Sequence, residues 1–398
     1  MRLYNSQSRK IEIFKSRESK KVTMYVCGIT PYDTTHLGHA FTYICFDALF
    51  RYLEYKGYKV TYVQNVTDID DDILKRAKET NRDWKELGEY WTKKFLNDLK
   101  SLNVQMPTHY VKATDSIPKM IEIIQVLQDR GFAYENQGNV YFSVDKDKEY
   151  GKLSRFTKEQ MLLIAKERGN DPSDHRKRNP LDFVLWQSVS VRTQKDEPFW
   201  NSPWGKGRPG WHIECSAMVY QYLGEQIDIH GGGRDLIFPH HESEIAQSEN
   251  YTGKKPFVSL WMHTAMVMYE GEKMSKSLGN LVMVSDLLKK YDANAIRWYL
   301  LSHHYRDVWE HRDDEFEKCA ARSSLVMALL KSPNPPNLPY ISTCDVFEHV
   351  MDSDLNTPLA LEYIYKLALR IRNEKDAKQK RLKKERLTTC LTVLGFAL

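Results

Sequence analysis

The feature that most constrains this chain is a β-α-β unit lying between residues 22 and 66. Val22–Cys27 reads Val-Thr-Met-Tyr-Val-Cys, the β-branched and aromatic content of a short buried strand, and Gly28, Thr30, Pro31 and Asp33 then break it. From Leu37 to Tyr55 the apolar residues Leu37, Phe41, Ile44, Ala48, Leu49 and Leu53 recur at helical spacing. Gly57 stops that run, and a second strand is predicted over Lys59–Val66. Parallel strands joined by a crossover helix imply a doubly wound, Rossmann-like parallel sheet of the α/β class, whose ligands lie at the carboxyl ends of the strands. The loop from Cys27 to His39 is therefore a binding loop by position.

The rest of the 398-residue chain extends this pattern with an interruption. Helices are predicted over Asp71–Lys78, Asp83–Leu102 and Ser116–Arg130, the last with Pro118 near its first turn. Val140–Val144 reads as a strand, and the polar stretch 146–195 mixes helix and loop, as an insertion between two halves of a sheet domain would. Trp211–Tyr222 and Asp228–Ser248 restore the α/β pattern, joined by Gly231-Gly232-Gly233, expected to be a flexible turn where backbone can approach a ligand. After Asp286 the chain is predicted helical to its end, apart from a Pro-rich stretch from Ser332 to Pro339. The expected organisation is a catalytic domain in two halves, 1–133 and 199–300, an inserted subdomain over 134–198, and a C-terminal helical bundle over 301–398.

Composition removes some alternatives. With 41% hydrophobic and 28% charged residues, the chain has ample material for a core. No apolar run approaches the roughly 20 residues needed to cross a bilayer, and the first residues lack the apolar centre of a signal peptide. A cytoplasmic protein with no membrane association is expected. The six cysteines, at 27, 45, 215, 319, 344 and 390, form no paired framework, so any special one is a ligand or nucleophile rather than a cross-link. A net charge of +5 is small for this size, and the basic run from Arg370 to Arg386 is interleaved with Glu374, Asp376 and Glu385, the pattern of a solvated helix face.

Three groups of residues carry chemistry. His36-Leu37-Gly38-His39 stands where the first strand's loop enters the first long helix, so free N–H groups and the helix dipole favour a phosphate there. Two imidazoles could assist attack at phosphorus, and Gly38 lets a flat base or ribose lie against the backbone. Lys273-Met274-Ser275-Lys276-Ser277 supplies two lysines able to hold the β and γ phosphates of ATP as point charges, and the chain has no GxxxxGK[ST] loop. Finally, Cys27, Cys215, His240 and Glu244 form a soft mixed donor set suited to Zn²⁺, with His240 and Glu244 four residues apart on one helical face.

The histidine and lysine motifs, in this order on an α/β background, resemble the signature of class I aminoacyl-tRNA synthetases. From about Tyr25 onward the chain resembles cysteinyl-tRNA synthetase at each motif. That resemblance implies a zinc on Cys27, Cys215, His240 and Glu244 that receives the substrate's own thiolate. It also implies ATP with Mg²⁺ as substrate, His36 and His39 assisting adenylate formation, and Lys273 and Lys276 holding the pyrophosphate. Thr30, Thr67 and Trp211 would line the cysteine site, with Gly232, Gly233 and Asp235 at the adenosine ribose. An apolar pocket separates cysteine from serine poorly, whereas a metal that binds sulfur far better than a hydroxyl discriminates in one step.

The acceptor of the activated cysteine is less defined. Cys27-Gly-Ile-Thr-Pro-Tyr-Asp33, Thr35-His-Leu-Gly-His-Ala40, Tyr62-Val-Gln-Asn-Val-Thr-Asp68, Arg168-Gly-Asn-Asp-Pro172 and His303-His-Tyr-Arg306 resemble a sister family, the mycothiol cysteine ligases. Those enzymes join cysteine to an aminosugar amine and lack an anticodon-binding domain. Leu278 and Trp204-Gly-Lys-Gly-Arg-Pro-Gly210 resemble the tRNA enzymes at least as well. The first expectation is a small amine acceptor such as glucosaminyl-inositol; the alternative is a compact enzyme charging tRNA-Cys. A catalytically silent paralogue is disfavoured by the intact histidines, lysines and metal donors.

Overall fold

The structure is a computed structural model that describes residues 1–33, 35–189, 197–274, 279–330 and 345–398. The predicted β-α-β unit forms its centre. Strand Lys21–Ile29 lies in the middle of a five-stranded parallel sheet, with Lys59–Val66 and His109–Lys112 on one side and Ile227–Gly233 and Val258–Thr264 on the other. The chain thus leaves the central strand in one direction and returns later on the opposite side. Such a reversal of strand order opens a crevice at the carboxyl ends, where ligands settle in open α/β sheets.

Each face of the sheet is covered. Helix Leu37–Tyr55 packs on one face together with the C-terminal helices, and its buried row of Leu37, Phe41, Ile44, Ala48, Leu49 and Leu53 matches the spacing predicted from sequence. Helices Ile117–Asp129 and Trp211–Leu223 cover the other face, meeting Tyr25, Val63 and Trp261. Burial of a row like that in Leu37–Tyr55 contributes about 2 kcal/mol per large apolar side chain before chain entropy is counted.

Two features differ from the sequence expectations. Gly231, Gly232 and Gly233 are strand residues paired with Met262, His263 and Thr264, not a turn. They are small because neighbours crowd them: a Cβ on Gly231 would stand 2.2 Å from the Phe46 ring. The chain beyond Asp286 also contains a short strand, Trp309–Glu310, which pairs with Val267–Tyr269; that strand in turn pairs with Glu272–Lys273.

Between the halves of the parallel sheet lies a second, antiparallel sheet. Its order is Ala133–Asn136, Asn139–Phe142, Phe183–Ser188, Gly205–Pro209 and Trp200–Ser202. The C-terminal helices, among them Thr357–Asn373 and Ala377–Val393, are tied to the sheet domain by buried Arg297. Its guanidinium meets Asp47 and donates to the carbonyls of Leu102 and Leu394. The Pro-rich stretch from Ser332 to Pro339 lies outside the described residues, and among those that are described no helix is long and apolar enough to cross a membrane.

Candidate active site

The crevice is a cavity of about 850 Å³ at the carboxyl ends of the central strands. One end is polar and open. His36 caps helix Leu37–Tyr55 with its ring, Nδ1 accepting from Gly38 N at 3.1 Å, and the His39 ring stacks on it at 3.8 Å. That helix carries no acidic residue in its first turn, which leaves its dipole uncompensated for an anion. A Cβ at position 38 would stand 2.9 Å from the His36 ring, so Gly38 lets that ring keep its capping position.

The lysine motif is held against the same helix start. Leu37 N donates to Val282 O at 2.8 Å and Val284 N to Thr35 O at 3.0 Å, so the segment following the motif forms a bridge across His36. Lys273 ends a short strand and reaches Asp235, Nζ to Oδ2 3.6 Å, and Arg168 meets the same carboxylate at 3.0 Å. These two cations hold the Asp235 carboxyl below the usual range despite its partial burial. Lys276 lies outside the described residues.

The other end is closed and dry. The central strand loses register with Lys59–Val66 between Val26 and Ile29, an irregularity at Cys27–Gly28 that redirects the Cys27 side chain. Gly28 is obligatory there, because a Cβ would stand 1.6 Å from Asn65 O. Cys215 comes from helix Trp211–Leu223, while His240 and Glu244 bracket the start of helix Glu242–Thr252. All four are buried, none more than 5% exposed.

Their donor atoms lie within 4.8 Å of one another. The sulfurs of Cys27 and Cys215 are 3.9 Å apart, His240 Nε2 is 3.3 Å from Cys215 Sγ and 3.2 Å from Glu244 Oε1, and Glu244 Oε1 is 3.8 Å from Cys27 Sγ. Tetrahedral zinc with bonds of about 2.3 Å to sulfur would separate two thiolates by about 3.8 Å. The donor set therefore fits the ion in both chemistry and spacing.

Sequence reasoning missed the histidine wall behind these donors. Cys27, His230, His241 and Glu244 make a second possible metal group, with His230 Nε2 2.9 Å from Glu244 Oε2 and His241 Nε2 3.3 Å from Cys27 Sγ. His263 contacts His241 at 2.8 Å, and His212 contacts His240, Nδ1 to Nδ1, at 3.0 Å. Burial lowers the imidazole pKa of His212, His230 and His263 to about 3, so these rings are neutral and available as donors or acceptors. Each is single in the sequence, and only the fold gathers them.

Of the remaining candidates, Thr30, Thr67, Trp211, Gly233 and Asp235 line the cavity, and Trp211 stacks on the His240 ring at 4.4 Å. Gly232 lies one layer behind the wall; a Cβ there would stand 3.6 Å from that of Cys27. Cys45 and Cys390 are core residues far from this chemistry, and Cys319 is half-buried.

A sheet wound in this way, with a helix N-terminus, paired histidines and a lysine strand around one cavity, has the architecture of a class I synthetase. Its fold resembles Mycobacterium tuberculosis methionyl-tRNA synthetase in complex with methionyl-adenylate (TM-score 0.64, 15% identity, 94% of this chain and 89% of that one). It also resembles a putative arginyl-tRNA synthetase from Campylobacter jejuni (TM-score 0.58, 13% identity, 96% and 94%). Residues 13–321 match the family model described as tRNA synthetases class I (C) catalytic domain, and residues 346–398 match a DALR domain. A cysteine–tRNA ligase of Dehalococcoides mccartyi is 46% identical over 92% of this chain and 80% of its own length. Those of Thermodesulfovibrio yellowstonii and Thermococcus gammatolerans are 44% and 46% identical over 95% and 92% of this chain and 80% and 79% of theirs. The chain belongs to the cysteinyl-tRNA synthetase family.

Proposed function

We propose that the protein is a cysteine–tRNA ligase. It activates cysteine with ATP to give cysteinyl-adenylate and pyrophosphate, then transfers the cysteinyl group to a tRNA hydroxyl with release of AMP. The observation that carries the first half is the cavity, which joins a soft donor set at one end to a phosphate-binding helix start at the other. The second half is supported by the relatives, which are cysteine–tRNA ligases aligned through the DALR region as well as the catalytic domain. The small amine acceptor, ranked first from the sequence wording and the mycothiol ligase resemblance, gives way to tRNA on this ground.

Cys27, Cys215, His240 and Glu244 would hold the zinc in preference to the set with His230 and His241, because Cys27, Cys215 and His240 face the cavity while His230 and His241 lie behind its lining. The ion when bound supplies affinity for sulfur over oxygen. The protein's own residues do the rest. His36 and His39 at the helix start hold the α-phosphate, Lys273 and Lys276 hold the departing pyrophosphate with Mg²⁺, and Gly233 and Asp235 receive the ribose with Gly232 backing them from behind the lining. Thr30, Thr67 and Trp211 shape the cysteine subsite.

The deciding experiment is charging. Purified protein with cysteine and ATP should aminoacylate tRNA-Cys at a rate far above the amide yield with glucosaminyl-inositol. Amide formation without charging would restore the amine ligase reading.

A further inference from the structure

We propose that Arg168, at the end of a helix in the inserted subdomain, is a positioning residue for the nucleotide: it holds the Asp235 carboxylate in the pose that accepts the ribose. The inference rests on the reading that Asp235 receives the ribose, and it gives a role to Arg168 of the Arg168-Gly-Asn-Asp-Pro172 segment.

Arg168 closes helix Lys158–Glu167, donating its N–H to Ile164 O at 3.2 Å and to Ala165 O at 3.1 Å. Gly169 then takes a φ of +86°, a left-handed turn that a side chain would strain, and Asn170 N returns to Ala165 O at 3.0 Å. Asn170 also donates through Nδ2 to Pro180 O at 3.1 Å and accepts from Lys177, whose ammonium reaches Asp171 O at 2.7 Å. The platform under Arg168 is therefore tied down, and from it the guanidinium meets Asp235 at the wall of the cavity.

The two oxygens of Asp235 are fixed by different means. Oδ2 takes Arg168 at 3.0 Å and Lys273 at 3.6 Å, while Oδ1 lies over Gly233, where a Cβ would stand 2.7 Å from it. The bare backbone at 233 and the cation at 168 thus select one carboxylate orientation. Stability does not account for the pair. Arg168 and Asp235 are 32% and 30% exposed, and ion pairs so open to water add little. Nor does Lys273 make Arg168 redundant, because Lys273 is the group that takes the pyrophosphate. Once it does so, Arg168 is the cation left on Asp235. A carboxylate already held at one oxygen offers the other to a hydroxyl without a further ordering cost.

The test is a double-mutant cycle read in nucleotide preference. Cysteine-dependent pyrophosphate exchange is measured with ATP, 2′-deoxyATP and 3′-deoxyATP for wild type, Arg168→Ala, Arg168→Lys, Asp235→Asn and the double variant Arg168→Ala with Asp235→Asn. Wild type should prefer ATP to the analogue lacking the recognised hydroxyl by roughly 10- to 100-fold in kcat/KM, the range of one hydrogen bond to a charged group. Arg168→Ala should raise KM for ATP by about 3- to 10-fold with kcat little changed, and should narrow that preference because the analogue has no such bond to lose. Arg168→Lys, which keeps the charge, should recover part of it, and zinc content and KM for cysteine should not move. In the Asp235→Asn background, removing Arg168 should leave the preference where it was. An Arg168→Ala variant with unchanged preference overturns the proposal, as does one that slows ATP and both analogues equally, which would mark a phosphate contact or a purely structural role. A full effect of Arg168→Ala in the Asp235→Asn background overturns it too, since the arginine would then not act through Asp235. If Asp235→Asn alone keeps the wild-type preference, the ribose reading beneath the proposal fails instead, a result distinct from all of these.

Discussion

The two ends of the cavity are built on opposite principles. At the sulfur end every donor is buried, comes from a strand end or helix, and is braced by a further layer of histidines. At the phosphate end His36, His39 and Lys273 are partly exposed, and Lys273 sits on a two-residue strand. Discrimination between S and O by a metal needs fixed geometry, because the soft-ligand preference is expressed only at bonding distance. Phosphate binding is long-ranged and tolerates surface loops. The difference predicts that damage at the sulfur end abolishes recognition, whereas damage at the phosphate end slows a step.

The largest effect should follow from Cys215→Ala. It removes one of the two thiolates, so metal content measured on purified protein and cysteine-dependent exchange should fall to background together. A variant that keeps stoichiometric zinc and full exchange would break the comparison at its root. Next in size, His39→Ala and Lys276→Ala should each lower exchange by about 10² to 10³, the usual consequence of losing one preorganised charge-stabilising group, with zinc retained and cysteine affinity little changed. Serine should be activated orders of magnitude more poorly than cysteine by wild type, and comparable exchange with serine would falsify selection by the sulfur end.

How legible each end was in the sequence follows from the same contrast. His36-Leu-Gly-His39 and Lys273 to Ser277 are contiguous, so spacing alone exposed them. The strand and helix that carry the first motif were legible because apolar spacing and Gly57 agree over nearly fifty residues. Cys27, Cys215, His240 and Glu244 were found as residue types with a family resemblance, but His230 and His263 carry no local pattern and meet only when strands Ile227–Gly233 and Val258–Thr264 align, with His212 added from helix Trp211–Leu223 and His241 from the segment before Glu242–Thr252. The antiparallel sheet, apart from the strand read near Val140, was illegible for another reason. Trp200–Ser202 and Gly205–Pro209 are three and five residues long, the second rich in Gly and Pro, and both are too short for alternation to register.

A further variant separates rigidity of the site from stability of the whole. Arg297 is fully buried against Asp47 and the carbonyls near the C-terminus, remote from both ends of the cavity. Arg297→Met leaves the Leu102 and Leu394 carbonyls without its guanidinium while Asp47 keeps Arg51, and should lower unfolding free energy by about 2 to 4 kcal/mol. At a temperature where the variant is still folded, zinc content and the cysteine-to-serine ratio should be unchanged. A collapse of that ratio would show that the sulfur end draws its rigidity from the helical region rather than from its own bracing.

The smallest effect concerns the cavity's acidic wall. Asp70 caps helix Asp71–Thr80, and burial raises its carboxyl pKa to about 6. A carboxyl whose folded pKa lies above its unfolded value near 4 binds its proton more tightly when folded, so its contribution to stability is most favourable below pH 4. It is then lost as pH rises toward 6 and stays lost above. Asp70→Asn keeps the helix cap, since both side chains serve that position, but has no proton to lose. Urea midpoints of wild type and variant should therefore be similar near pH 4 and diverge through pH 6 in favour of the variant, by about 1 kcal/mol for a partly solvated group. Parallel curves from pH 4 to 7 would mean that Asp70 is hydrated like a surface acid and that the dry part of the cavity stops short of it.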